Sequence, residues 1–349
     1  MRVINKNIYI KSGLMKNKVL LNTLMRLDNT VIITDNLVPN VYVENLRAIF
    51  HNKEIEVIKL SAGEDNKNLL AIEAIVANLL CCKLDRFSTI IALGGGVVGD
   101  LTGFAAAIYM RGINWIQIPT TLIAQVDSAY GGKTGCNYRG KKNVLGAFHF
   151  PKLVLVDPEY LKTLSNREYT AGLAEVVKYG MACDKDFFEW IETNKISIKN
   201  RDSLMLQKLV ISCCEIKMRF VTLDPLDQKE RMVLNFGHSF GHALEAATSF
   251  SHYLHGEAVA IGMLLAARLA VRIGMLERDI LGRLQNLLEY FELPTECLLI
   301  NVLCDYISCD KKNYGNILNL ILPYALGKVK VVSEISIKSL EGLLQSYVE

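Results

Sequence analysis

No stretch of this sequence is both long and apolar enough to cross a bilayer. Its most apolar run, residues 258–271, is broken by Arg268 and falls short of the roughly 20 residues a span needs. The N-terminus, MRVINKNIYI, lacks the longer apolar run and cleavage site of a secretory signal and reads as a strand. Charge of one sign is also scarce. The 39 Lys and Arg against 36 Asp and Glu leave a formal +3, too little to point to nucleic acid, so any basic patch must be local. Nine cysteines occur without a CxxC or regular spacing. Several sit in apolar helical contexts, such as Cys213 and Cys214, so they read as reduced core thiols and imply a cytoplasmic location. Repeats and low-complexity segments are absent. What is present is an ordinary globular composition, 51% hydrophobic and 21% charged. At 349 residues the chain exceeds the ~250–300 at which single cores stop growing, so two domains are expected.

The first half alternates short β-branched runs with helical patterns. Residues 31–35, 54–60, 89–93, 116–118 and 153–156 read as buried parallel strands, and 68–80 and 101–110 as helices between them. After Asp157-Pro158 the strands give way to helical spacing at 167–181, 203–221, 237–248, 257–273 and 278–290, with one late apolar run at 317–323 that suits a strand or hairpin. The expected fold is therefore an α/β, Rossmann-like nucleotide-binding domain over residues 1–158, followed by a mainly α-helical domain over 159–349.

Three segments carry polar chemistry. In the first, Gly94, Gly96 and Gly99 satisfy GxGxxG between a strand and a helix. Glycines there let backbone N–H groups approach a pyrophosphate at a helix N-terminus, although a glycine turn alone can also be purely structural. No carboxylate follows at the usual distance of about 20 residues; Asp35, at the end of an earlier strand, could hold a ribose instead. Glu64 and Lys67 add an acid and a cation after another strand. The second segment, residues 119–148, reads as a loop rich in glycine and lysine, with Thr120, Thr121, Asp127, Lys133, Lys141, Lys142 and Asn143 interleaved. Such a loop needs an anion to order its cations, and a phosphorylated ligand would serve.

In the third segment, four of the six histidines, His238, His242, His252 and His255, fall within eighteen residues. A spacing of four places His238 and His242 on one helical face, and a turn can bring His255 back to them. Two imidazoles with one carboxylate make an open, catalytic type of zinc site. Glu175, on an otherwise apolar helix with Lys178 one turn on, is the candidate carboxylate.

Taken together, GGGVVGD, PTTLIAQVDSAYGGKTGCN, GKKNVLGAF, AGLAEVVKYG, LNFGHSFGHALE and LHGEAVAIGM resemble the 3-dehydroquinate synthase family of the sugar phosphate cyclases, in family order from about residue 35 to 312. The resemblance implies zinc or cobalt on Glu175, His238 and His255, with His242 assisting proton transfer. It implies NAD contacts from Asp35, Glu64, Lys67, Gly95, Gly96, Asp100, Thr120, Thr121, Lys133, Lys142, Thr163 and Glu168. Substrate would be met by Asp127, Lys133, Asn143, Lys178, Lys217, Arg231, Asn235 and one of Lys311 or Lys312. Arg111 would reach the phosphate of a neighbouring subunit, which implies a homodimer. The family usually shows an acid-x-acid pair, a glycine and then the arginine; here Asp227 stands where glutamate is usual and Lys229 replaces the glycine.

The implied activity is that of a carbon–oxygen lyase acting on a phosphate. A small-molecule sugar phosphate, 3-deoxy-D-arabino-heptulosonate 7-phosphate, would become 3-dehydroquinate and phosphate by transient oxidation, elimination, re-reduction and aldol closure. Cyclases making 2-deoxy-scyllo-inosose or valiolone products, a polyol dehydrogenase, and a binding protein that lost turnover are the alternatives. Arg231 and Asn235 favour the heptulosonate, whose carboxylate a cation can meet.

Overall fold

The computed structural model describes residues 1–4, 7–50, 54–248, 252–297 and 317–336. The chain divides into two compact units, Met1–Ser165 with Ser203–Met218, and Asn166–Asp202 with Arg219–Glu349. Residues 159–165 therefore pack with the first unit, as do helix α1 (Lys18–Met25) and most of helix α7 (Ser203–Leu223).

The first unit is built on a seven-stranded sheet. In chain order its strands are β1 (Arg2–Ile4), β2 (Ile8–Ile10), β3 (Thr30–Asp35), β4 (Glu56–Leu60), β5 (Thr89–Gly94), β6 (Asn114–Pro119) and, after a separate hairpin, β9 (Leu153–Val156). The spatial order is β1-β2-β9-β6-β5-β3-β4, parallel except for β1 against β2. Side chains alternate across it. Ile32, Ile91, Leu93, Ile116 and Ile118 share one core with Val43 and Leu46 of helix α2 (Asn40–Ala48). Val31, Ile33, Ile90 and Ala92 face the opposite core with Ile72, Ile75 and Leu79 of α3 (Leu69–Cys81) and Leu101 and Ala105 of α4 (Gly96–Ile108). Helices on both faces explain why these strands read as unbroken β-branched runs rather than alternating ones.

Three expectations are corrected. The N-terminal strand is two short strands, since Arg2 pairs back to Ile10 and Ile4 to Ile8. The strand expected at 54–60 is not buried, because β4 closes the sheet at one edge and exposes Glu56 and Lys59. Residues 119–148 are not a loop: they form a π-helical turn at Ala124–Ser128 and an antiparallel hairpin, β7 (Lys133–Tyr138) with β8 (Lys141–Phe148). Thr134 and Cys136 of β7 are buried, and a Cβ at Gly103 of α4 would stand 2.4 Å from Thr134. The hairpin is thus anchored by packing against a helix, with its lysines left outside.

The second unit gathers α5 (Asn166–Cys183), α6 (Lys185–Lys199), α8 (His238–Ala247), α9 (His255–Arg272) and α10 (Arg278–Tyr290), with a hairpin of β10 (Ile317–Ala325) and β11 (Lys328–Ser336). The apolar run that begins at residue 258 is the buried body of α9, packed against α5, α8, α10 and β10. Among the described residues no helix is long and apolar enough to cross a membrane.

The approach of α9 to α5 leaves no room at Gly256, where an added Cβ would lie 1.8 Å from the Ala171 carbonyl oxygen. Backbone cannot step aside as a flexible side chain can, so Gly256→Ala should destabilise the protein by about 1–3 kcal/mol. Thermal unfolding reads this directly, and an unchanged midpoint would contradict the close helix contact.

Candidate active site and metal centre

Two helix starts place the histidines of the second unit. Helix α8 begins at His238 because Gly237 holds a left-handed φ of 80°, and a Cβ there would meet the Met263 backbone nitrogen at 2.9 Å. A Cβ at Gly262 would fall 2.1 Å from the Gly237 oxygen, so α8 and α9 meet backbone to backbone. Helix α9 begins at His255, where Glu257 accepts a hydrogen bond from the Leu254 N–H at 2.8 Å. Arg167, at the start of α5, grips both Glu257 oxygens at 2.7 and 2.8 Å and donates to the His252 carbonyl. One turn beyond Ala171, α5 then presents Glu175 to the two imidazoles.

The resulting cluster is tight. Glu175 Oε1 lies 3.6 Å from His238 Nε2 and 3.7 Å from His255 Nε2. The His238 ring centroid is 5.3 Å from those of both His242 and His255. Glu175 is fully buried, and neither carboxylate oxygen accepts a hydrogen bond, although Lys178 Nζ stands against Oε2 as an ion pair. Burial first, then the charge of Lys178 and the neighbouring imidazoles, hold the His238 pKa well below its ordinary value, so its ring is neutral. His238 Nδ1 lies 3.2 Å from the Phe236 carbonyl and can donate to it, leaving Nε2 with its lone pair.

A buried carboxylate facing two imidazoles, that of His238 neutral, suits a divalent cation. The 3.6 and 3.7 Å separations are close to those of tetrahedral neighbours at bond lengths of about 2.0–2.2 Å. Glu175, His238 and His255 form one set able to hold a metal; His242, Glu245 and His255 form another. Sequence reasoning missed Glu245, a buried residue whose Oε1 lies 3.1 Å from His255 Nδ1. The signal was there: 238, 242 and 245 are spaced by four and three, along one helical face.

The loop before α8 carries Asp227, Arg231 and Asn235. Asp224, also missed, organises it by accepting from the N–H groups of Gln228, Lys229 and Arg231 at 3.0, 2.7 and 3.2 Å. These backbone donors, led by Gln228, hold its carboxyl below the usual range. Arg231 is buried and donates to the Pro225 carbonyl at 3.1 Å.

In the first unit, Gly94–Gly96 turn β5 into α4, with Gly95 as the residue capping the helix and the Thr120 N–H donating to the Gly94 oxygen at 3.0 Å. Gly99 answers to packing, since a Cβ there would lie 2.2 Å from Gln117 Nε2. Beside the turn, Lys67 Nζ donates to Asp100 at 2.5 Å and to Asn143 at 2.6 Å. Burial alone would lower the Lys67 pKa, but Asp100 and Glu64 together raise it. Asn137, unforeseen from sequence, ties the group together, donating to Glu64 at 2.9 Å and accepting from the Asn143 N–H at 2.9 Å. Lys142 joins at 4.0 Å from Glu64. Lys217 donates to both the carbonyl and the carboxylate of Asp127, at 2.6 and 2.7 Å.

Other expected site residues have local roles of their own, and Thr121 lies against the glycine turn, 3.0 Å from where a Cβ at Gly95 would stand. Asp35 ends β3 and spends Oδ1 on the Leu37 and Val38 N–H groups. Thr163 closes a 3₁₀ turn with its hydroxyl 2.8 Å from Tyr42. Thr121 caps the Ala124 N–H, Lys133 opens β7 exposed, and Glu168 lies in the first turn of α5. Arg111 is exposed on a 3₁₀ turn with a left-handed φ of 66°. Lys311 and Lys312 lie outside the described residues.

One α/β unit with a glycine turn at a helix N-terminus and one helical unit presenting a carboxylate and imidazoles make up a chain whose fold is that of the sugar phosphate cyclases. The structure of 2-epi-5-epi-valiolone synthase from Streptomyces hygroscopicus subsp. jinggangensis, with NAD⁺ and Zn²⁺ bound, matches with a TM-score of 0.90 at 27% identity, covering 100% of this chain and 98% of that one. A 2-deoxy-scyllo-inosose synthase matches at 0.85 and 24%, covering 95% of both, which speaks for the fold alone. The chain belongs to the 3-dehydroquinate synthase family: the N-terminal family description matches residues 57–171 and the C-terminal one residues 172–313. It is 42% identical to the 3-dehydroquinate synthase of Colwellia psychrerythraea, covering 97% of this chain and 96% of that one. With the enzyme of Halorhodospira halophila it shares 44%, over 97% and 95%.

Replacing His255 by Ala removes one of three candidate ligands and should abolish stoichiometric divalent-metal binding while NAD⁺ affinity persists. Metal content after dialysis measures this; a full complement of metal in the variant would refute the ligand set.

Proposed function

We propose that this chain is a 3-dehydroquinate synthase in action as well as in family, converting 3-deoxy-D-arabino-heptulosonate 7-phosphate to 3-dehydroquinate and phosphate. The single observation that carries the reading is a fully buried, ion-paired Glu175 within 3.7 Å of two imidazoles, in a chain 40–44% identical to enzymes of that name over nearly its whole length. When bound, NAD⁺ would accept and return one hydride, and a divalent ion on Glu175, His238 and His255 would act as a Lewis acid toward substrate hydroxyls.

The chain's own residues do the rest. Gly95 and Gly96 bring backbone close to a pyrophosphate at the N-terminus of α4, and the buried Lys67 with Asp100 and Asn143 gives that region a rigid, charged wall. Asp35, Glu64, Thr120, Thr121, Lys142, Thr163 and Glu168 complete the proposed cofactor contacts. Lys178, Lys217, Lys133, Asn143 and one of Lys311 or Lys312 position the phosphorylated substrate and offset charge as phosphate leaves. Asp127 holds Lys217 by two hydrogen bonds and so fixes where that cation points. His242, exposed beside the other two rings and outside the proposed ligand set, is the side chain assigned to moving a proton. Arg231, Asn235 and Asp227 recognise the polar end of the substrate, Arg231 meeting its carboxylate. Arg111 is assigned to a second copy of the chain in a homodimer.

Incubating metal-loaded protein with the heptulosonate phosphate and NAD⁺ should release phosphate and carbocycle in equal amounts with no lasting rise in NADH absorbance. Steady NADH accumulation would instead make the protein a dehydrogenase, and a strict requirement for another sugar phosphate would place it with the other cyclases.

Arg231→Ala should raise KM for the substrate by about 10–100-fold, the scale of one lost charged hydrogen bond at 1.5–3 kcal/mol, with NAD⁺ affinity little changed. The division of roles fails if NAD⁺ affinity collapses and KM does not move.

A further inference from the structure

We propose that Glu245 is the positioning residue of the metal centre, its carboxylate fixing the tautomer and ring plane of His255 so that Nε2 is presented to the ion. This rests on Glu175, His238 and His255 being the ligands. Glu245 is only 2% exposed, and its Oε1 lies 3.1 Å from His255 Nδ1. A carboxylate withdrawn from water holds any N–H donor it can reach, so the contact keeps the His255 proton on Nδ1. An unconstrained neutral imidazole favours the opposite tautomer, with Nε2 protonated and unable to bind a cation. The carboxylate thus selects the competent form before an ion arrives, and adds basicity to the ring once it does.

His238 reaches the same state by a different route, with Nδ1 3.2 Å from the Phe236 carbonyl. Two unrelated acceptors therefore turn two rings the same way, and both Nε2 atoms end within 3.7 Å of Glu175 Oε1. Agreement of this kind is what a prearranged cation site requires. Glu245, His242 and His255 could themselves ligate an ion. That arrangement would have to break the existing Glu245–His255 contact and draw on the exposed His242, so the positioning role is the better fit.

The test compares Co²⁺ affinity and absorption bands, by chelator competition, for the full-length wild type, Glu245→Ala, Glu245→Gln and Glu175→Ala. Imidazole ¹⁵N shifts of the metal-free proteins, tractable with six histidines in the chain, report the tautomer. Glu245→Ala should weaken Co²⁺ binding about 10–100-fold at unchanged stoichiometry and move the His255 proton to Nε2. Glu245→Gln, whose amide oxygen still accepts from Nδ1, should restore both in large part. Should the alanine variant fail to fold, Glu245→Met keeps the packed volume without the acceptor and should show the same loss. Unchanged affinity and tautomer in Glu245→Ala, with binding lost in Glu175→Ala, overturns the positioning role but leaves the ligand set standing. Wild-type affinity in Glu175→Ala overturns the ligand set itself. Stoichiometric binding lost in Glu245→Ala but kept in Glu175→Ala makes Glu245 a ligand and overturns both.

Discussion

The second unit is organised around one electrostatic demand, a carboxylate with no solvent. Glu175 is fully buried on a helix whose neighbouring positions are almost all apolar. An ionised carboxylate in such a place is costly unless positive charge is brought to it. Lys178 supplies one cation from the same helix. His238, facing the other side, supplies none, because burial and the charge of Lys178 keep it neutral. Neutral rings are the form in which histidine binds metals, so the conditions that make this an uncomfortable ion pair make it a good ligand set.

Meeting that demand constrains the backbone. Glu175 can oppose His255 only if α5 and α9 run close, which is why Gly256 sits against Ala171 one turn before the glutamate. His238 can join them only if α8 starts hard against α9, where Gly237 and Gly262 take each other's space. The glycines of LNFGHSFGHALE and LHGEAVAIGM thus share their segments with the ligands for a geometrical reason: the contact that needs no side chain lies beside the contact that needs a particular one. Arg167 then pins the start of α9 through Glu257, outside the cluster, so the turn carrying His255 is held from both sides.

Much of this was legible in the sequence, and the exceptions have physical causes. Strands β3, β5, β6 and β9 showed as β-branched runs because helices or hairpin cover both faces of the sheet, and the ligand helices showed in their three- and four-residue spacing. The segment 119–148 was misread because lysine and glycine content signals loop, whereas only alternate residues of β7 need to be apolar or small to rest on α4. Its reversal at Arg139-Gly140, with φ of 47° and 73°, is a two-residue hairpin turn that the polar composition hid. Asn137 and Glu245 escaped because each acts through another residue. Composition can reveal a residue that might hold a ligand, but a residue that aims one becomes visible only when the partner's coordinates are known.

The departure before α8 is resolved by the same logic. The family resemblance leads one to expect a glycine at the position of Lys229 and glutamate at the position of Asp227. Here φ at Lys229 is −144°, so that position makes no demand for left-handed backbone; the left-handed residue is Asp227, at φ 57°. Aspartate tolerates that conformation better than a longer or branched side chain does. The loop does not depend on either substitution for its shape, because Asp224 gathers the backbone donors of Gln228 and Lys229 and ends with the N–H of Arg231 itself. A carboxylate that fixes the arginine's backbone lets the residues between them vary. What the stretch fixes is the backbone of Arg231, and the altered residues mark the part of the loop on which that placement does not rest.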